Sequence, residues 1–141
     1  MLQVSNHYPE PAANDSFELR EDVPRHAEGR RYDLAERTAV FAEKVVCFAR
    51  KLPMDPVTNP LISQVVRSAG SVGANYCEAD DAVSKKEFRQ KIGTCRKEAK
   101  ETKYWIRLIV SAVPSIREEA RTLWQEAKEL HLIFCAIHRK L

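Results

Sequence analysis

Along most of the chain apolar residues recur at alternating steps of four and three, the spacing that lines one face of a helix. Leu34, Thr38, Phe41, Val45, Phe48 and Leu52 form the first such seam. Ile62, Val65, Val66, Ala69, Val72 and Tyr76 form a second apolar face at helical, though not alternating, spacing. Phe88, Ile92, Cys95, Ala99, Thr102, Ile106 and Ile109 form the third. Ile116, Ala120, Leu123, Ala127, Leu130, Phe134, Ile137 and Leu141 form the fourth. The seams predict helices over about 33–52, 60–82, 84–112 and 115–141. Asp33 with Glu36, Ser84 with Glu87 and Ser115 with Glu118 have the spacing of capping boxes. Asn59-Pro60 reads as an N-cap with proline at the first helical position. Pro53 and Pro56 stop the first helix, because proline has no amide to donate and clashes with the preceding turn. No alternation of period two competes with this pattern, and no hairpin dipeptide occurs.

The links between the four segments are short, which makes consecutive helices antiparallel neighbours. The expected fold is therefore all-α, an up-down-up-down antiparallel four-helix bundle over 31–141. Its 3.5-residue repeat implies a left-handed crossing. Residues 1–30 lack the repeat and are interrupted by Pro9, Pro11 and Pro24. They read as a mobile acidic tail with a short turn of helix around Phe17–Leu19.

Composition narrows the picture further. The chain has 141 residues, enough for one domain, and a formal charge of +3. Residues 1–30 carry −3 and residues 31–141 carry +6, so the helical part is more basic than the total implies. No apolar run reaches the length of a membrane helix, and the first residues lack a basic and an apolar stretch. Cytoplasmic location without membrane attachment is the expectation. Cys47, Cys77, Cys95 and Cys135 form no C-x-x-C pair and read as reduced and mostly buried.

One helix face stands out. With Phe88 placed at heptad position d, positions b and e of the third helix read Lys86, Arg89, Gly93, Arg96, Lys100, Lys103 and Arg107. A line of cations along one helix suits a phosphate backbone or an acidic protein surface. A solvated face, or ion pairs with glutamates of a neighbouring helix, would account for it as well. Tyr104 and Trp105 lie beside it, rings fit either for stacking on a base or for burial between helices. Trp124, His131 and His138 share with Arg117 the flank next to the fourth seam and read as facing a partner. An oligomer is expected, with Tyr104, Trp105, Trp124 and His131 as candidate interface residues.

Other chemistry finds less support. Gly70 and Gly73 lie inside the second helix, where each costs about 1 kcal/mol relative to alanine. A close approach of another backbone, within the bundle or from a second subunit, is the expected reason. No Glu-x-x-His pair marks a di-iron site, and the four cysteines do not converge on one end of a bundle. No motif places a nucleophile. No metal, no cofactor and no enzymatic activity are expected.

The run Arg67-Ser68-x3-Val72-Gly73-Ala74-Asn75-Tyr76-x-Glu78-Ala79 continues into Ser84-Lys85-x2-Glu87-Phe88. Then comes Lys97-Glu98-Ala99-x-Glu101-Thr102-x-Tyr104-Trp105-Ile106-Arg107. With Tyr32-Asp33-Leu34-x-Glu36-Arg37-Thr38 and Lys51-Leu52-Pro53, these motifs resemble the bacterial four-helix bundle family, the 23S rRNA intervening-sequence proteins. The resemblance runs from about Tyr32 to Leu141. It implies a bundle assembling into five-fold rings, a homopentamer, with no known enzymatic activity or cofactor. The family is also distantly similar to the accessory protein of diversity-generating retroelements, a basic pentamer that binds a reverse transcriptase and nucleic acid. Asn75, Glu78, Glu98, Glu101 and Trp105 match its motifs. As buried polar groups, Asn75 and Glu78 would lock helix register or subunit contacts. The functional expectation is a non-enzymatic ring-forming bundle that binds nucleic acid, structured RNA foremost, through Lys86, Arg89, Arg96, Lys100, Lys103 and Arg107. The alternative is a scaffold whose basic stripe pairs with an acidic partner protein or neighbouring subunit.

Overall fold

A computed structural model describes residues 33–141. The expected mobile tail and its turn at Phe17–Leu19 lie outside the described residues. Four helices follow one another: α1 (Leu34–Arg50), α2 (Thr58–Asp80), α3 (Lys85–Ala112) and α4 (Arg117–Arg139). A 3₁₀ turn, Pro114–Ile116, leads into α4. The fold is an all-α antiparallel four-helix bundle with no strand among the described residues. α2 packs on α1 and α3, and α4 packs on α3 and α1. α1 and α3 stand on one diagonal, α2 and α4 on the other. No described helix is long and apolar enough to cross a membrane.

The seams become the core. Every α1 seam residue from Leu34 to Leu52 is buried, as are Val65, Ala69 and Val72 of α2. α3 contributes Ile92, Cys95, Ala99, Thr102, Ile106 and Ile109, and α4 contributes Ala120, Leu123, Ala127, Leu130 and Phe134. The seam ends are looser: Phe88, Ile116 and Ile137 are half-buried, and Leu141 is exposed. The buried hydroxyls of Thr38, Ser68 and Thr102 are paired, whereas the buried Thr58 hydroxyl has no partner among the described residues. Thr38 donates to the Leu34 carbonyl (2.6 Å), and Thr102 lies 2.9 Å from Ser68 across α2 and α3. Such paired hydroxyls let polar side chains sit in an apolar core without an orphaned donor.

Two of the expected caps form. Asp33 accepts from the Glu36 amide, and Ser84 accepts from the Glu87 amide, each at 3.1 Å. Glu87 reaches back to the Val83 amide (3.0 Å), one residue earlier than a capping box requires. The other two expectations are corrected. α2 starts at Thr58, not at the Asn59-Pro60 step, because Asp55 Oδ1 accepts from the amides of both Val57 and Thr58 at 2.9 Å. The Thr58 amide, foremost, holds that carboxylate below its ordinary pKa. Ser115 caps nothing: Pro114 opens a 3₁₀ turn, and α4 begins at Arg117 without a side-chain cap.

The glycines divide. A Cβ on Gly73 would come within 3.3 Å of Thr38 Oγ1, so this glycine allows α1 and α2 to approach closely. Gly70 faces nothing within 4 Å among the described residues, and no contact within the bundle accounts for it. The cysteines also depart from expectation. Cys95 alone is buried, Cys135 is half-buried, and Cys47 and Cys77 are exposed.

Candidate nucleic-acid interface

α3 is a helix of 28 residues, about 42 Å long at 1.5 Å per residue. Its a and d positions fill the core, so its two flanks meet different neighbours. In an antiparallel pair, e positions of one helix meet e positions of the other. On α3 these are Arg89, Arg96 and Lys103, and on α4 they are Trp124, His131 and His138. The contacts follow that pairing. Lys103 Nζ lies 5.0 Å from the centroid of the Trp124 ring, and Lys128 Nζ approaches the same ring at 5.7 Å. A Cβ on Gly93 would come within 3.5 Å of His138 Nε2, so this gap in the cationic line accommodates an imidazole.

The six cations Lys86, Arg89, Arg96, Lys100, Lys103 and Arg107 therefore lie on one face with Lys128, His131 and His138. Among the described residues none of the six forms an ion pair. Four cations at two other helix–helix seams are paired. Across α2 and α3, Arg67 pairs with Glu101 and with Glu98 (3.3 Å), and Lys91 pairs with Glu78. Across α1 and α4, Arg37 binds Glu126 (2.8 Å) and Glu129 (2.6 Å), and Lys51 binds Glu119 (2.9 Å). The hydrogen bonds that Arg37 donates to Glu126, ahead of the one to Glu129, raise its pKa further above the ordinary value. Glutamates thus neutralise the α2–α3 and α1–α4 seams and leave the α3–α4 seam positive.

His131 registers that field. Burial first, then the charges of Lys103, Lys100 and Arg96, push its pKa below the ordinary imidazole value. Its Nε2 stands 3.5 Å from Cys135 Sγ, one helical turn away. Among the described residues no cluster of three His, Cys, Asp or Glu is arranged to hold a metal ion.

The aromatic residues expected to face a partner separate into two settings. Trp124 is half-buried under its two lysines. Trp105 is half-buried on the α2 side, and its indole N–H donates to Glu101 Oε1 (3.0 Å). Tyr104 is 54% exposed and meets Trp105 edge-on, with ring centroids 5.2 Å apart. Glu78 is exposed, contrary to a register-locking role, and pairs with Lys91. Asn75 is half-buried and bonds within its own helix, to the Ser71 carbonyl at 2.8 Å. The α4 half of the positive face, Lys128 and His138 with Trp124 and His131, was missed as part of one surface with α3. The e-to-e rule for antiparallel helices is the signal that places it there.

The match to known proteins covers most of the bundle. Residues 30–135 match the family described as 23S rRNA-intervening sequence protein. A crystal structure of a protein with unknown function from the S23 ribosomal protein family of Bacteroides thetaiotaomicron superposes with a TM-score of 0.65. It shares 28% sequence identity, and the alignment covers 74% of this chain and 97% of that one. No curated protein matches the chain. The likeness to the retroelement accessory protein is shown by neither match. A family match over three-quarters of the sequence coincides with a bundle whose core repeats the expected seams, and the chain belongs to the 23S rRNA-intervening sequence protein family.

Proposed function

We propose that the α3–α4 face binds nucleic acid, with structured RNA as its ligand, and that the protein acts as a non-enzymatic, ring-forming bundle in the cytoplasm. One observation carries this reading: six aligned cations have no acidic partner among the described residues, on a helix whose opposite flank is paired. Holding like charges together is unfavourable unless an anion completes them. A phosphate backbone supplies anions along a line, as α3 supplies cations. Phosphate contacts of this kind release counterions, so affinity falls log-linearly with salt.

The test is binding to structured ribosomal RNA fragments and duplex DNA across a salt series. Reversing Arg96 and Lys100 to glutamate should lower affinity about a hundredfold at low salt and flatten the salt slope, with helicity unchanged. Unchanged affinity in that variant would remove the face as the site.

A second reading has its own support. Val46, Tyr104 and Leu132 are apolar or aromatic and exposed on outer helix faces. Such positions favour subunit contacts, in which the basic stripe pairs with an acidic surface of a neighbouring subunit or partner protein. Replacing Lys100 and Lys103 by alanine should then shift the assembly toward monomer. Light scattering on a sizing column reads this directly, and an intact oligomer sinks the reading.

A further inference from the structure

We propose that Tyr104 is a stacking platform that captures an unpaired base, so that the α3 face prefers RNA with single-stranded segments to a continuous duplex. The inference rests on the reading of that face as an RNA site, and names what the site selects.

The argument begins with what surrounds the ring. Residues three and four apart are neighbours on a helix surface. Tyr104 therefore has Lys100 one turn before it and Arg107 one turn after it, both members of the unpaired cationic line. Its ring is more than half exposed, and its hydroxyl makes no hydrogen bond among the described residues. A strand whose phosphates lie along Lys100 and Arg107 brings its bases to this ring.

The ring is also held from behind. Trp105 meets it edge-on, and the Trp105 indole is tied to Glu101. Glu101 is clamped by Arg67, which also bonds Gln64 (2.9 Å) and Glu98. This chain of bonds spans α2 and α3 and fixes the support before any ligand arrives. An immobilised ring loses little freedom on stacking, which is what makes aromatic platforms effective. Trp124, the other large ring of the positive face, does not serve this way, since Lys103 and Lys128 already lie over it.

The preference for unpaired bases follows from geometry. In a duplex each base face is covered by its neighbours, and only edges and phosphates are reachable. A single strand, loop or bulge can turn a base out onto an exposed ring. The cationic line binds both forms through phosphate, and Tyr104 adds affinity for one of them.

The experiment measures fluorescence polarisation of a short unstructured RNA strand and of the duplex it forms with its complement. Tyr104→Ala should weaken single-strand binding about tenfold and leave duplex binding unchanged, while Tyr104→Phe binds like the native protein. A loss shared equally by both RNAs, no loss for either, or a loss in Tyr104→Phe as large as in Tyr104→Ala overturns the proposal. So does a change in oligomeric mass of Tyr104→Ala, which would put the ring in a subunit contact. Absence of binding to either RNA by the native protein at low salt defeats the parent reading together with this one. Salt-sensitive binding that ignores Tyr104 defeats the stacking site alone.

Discussion

The two flanks of α3 share a backbone, a core seam and a heptad register, yet they have opposite electrostatics. On the α2 side Arg67 sits between Glu98 and Glu101, and Lys91 meets Glu78. On the α4 side Lys103 lies over the Trp124 indole, His131 feels the charges of Arg96, Lys100 and Lys103, and no carboxylate pairs with Arg89, Arg96 or Lys103 among the described residues. The neighbouring helix makes the difference, since α4 places three of its four acids, Glu119, Glu126 and Glu129, toward α1. A flank that satisfies its charges internally contributes to holding the bundle together. One that leaves them unsatisfied stores a field that only an outside anion completes.

The contrast predicts that substitutions on the two flanks separate stability from affinity. The largest effect belongs to the open flank: the double reversal of Arg96 and Lys100 loses about a hundredfold in RNA affinity, with unchanged or slightly greater resistance to urea. Next is the closed flank. Arg67→Ala removes the partner of Glu98, whose side chain is only 16% exposed, and should lower stability by about 1 kcal/mol with no loss of duplex affinity. Urea midpoints and binding isotherms on the same variant check both halves. If Arg67→Ala weakened duplex RNA binding as strongly as the charge reversals, the separation would fail.

The smallest effects concern His131. Its folded pKa lies below 6.5, so the unfolded chain takes up a proton that the folded chain declines. Its contribution to stability is therefore complete above the ordinary imidazole pKa and is lost as pH falls through that value toward the folded one. His131→Gln should flatten that part of the stability–pH curve. Lys103→Met should raise the His131 pKa in an NMR titration, since it removes one of the charges that lower it, and should change stability by about 0.5 kcal/mol through the lost contact with Trp124. An unmoved imidazole titration in Lys103→Met would contradict the electrostatic coupling across this seam.

Much of the bundle was legible because its determinants are local. The four-three steps that set Phe41, Val45 and Phe48 inside need only helix geometry, and Asp33 and Ser84 cap residues three positions away. The caps that misled were those where proline intervened. Pro60 drew the start of α2 to Asn59, although Asp55 reaches past Pro56 to an earlier amide. Pro114 turned the Ser115 box into a 3₁₀ turn. The cationic line was legible too, since it lies on one helix. Its state was not, because pairing depends on which residues of another helix face each flank. Trp124 and His131 illustrate the point: their spacing marked a common flank of α4, and only packing shows that this flank adjoins the line on α3.

Cys95 gives the bundle a built-in clock. Its thiol donates to the Val72 carbonyl across α2 and α3 at 3.4 Å, and burial pushes its pKa up to about 12. A neutral, enclosed thiol does not react with an alkylating reagent, whereas Cys47 and Cys77 stand in solvent and do. After those surface thiols are blocked, each later modification at Cys95 records a moment when α2 and α3 parted. The rate of that slow reaction, with and without RNA, reports how often the native bundle breathes and whether an anion on one seam quiets the motion of the other.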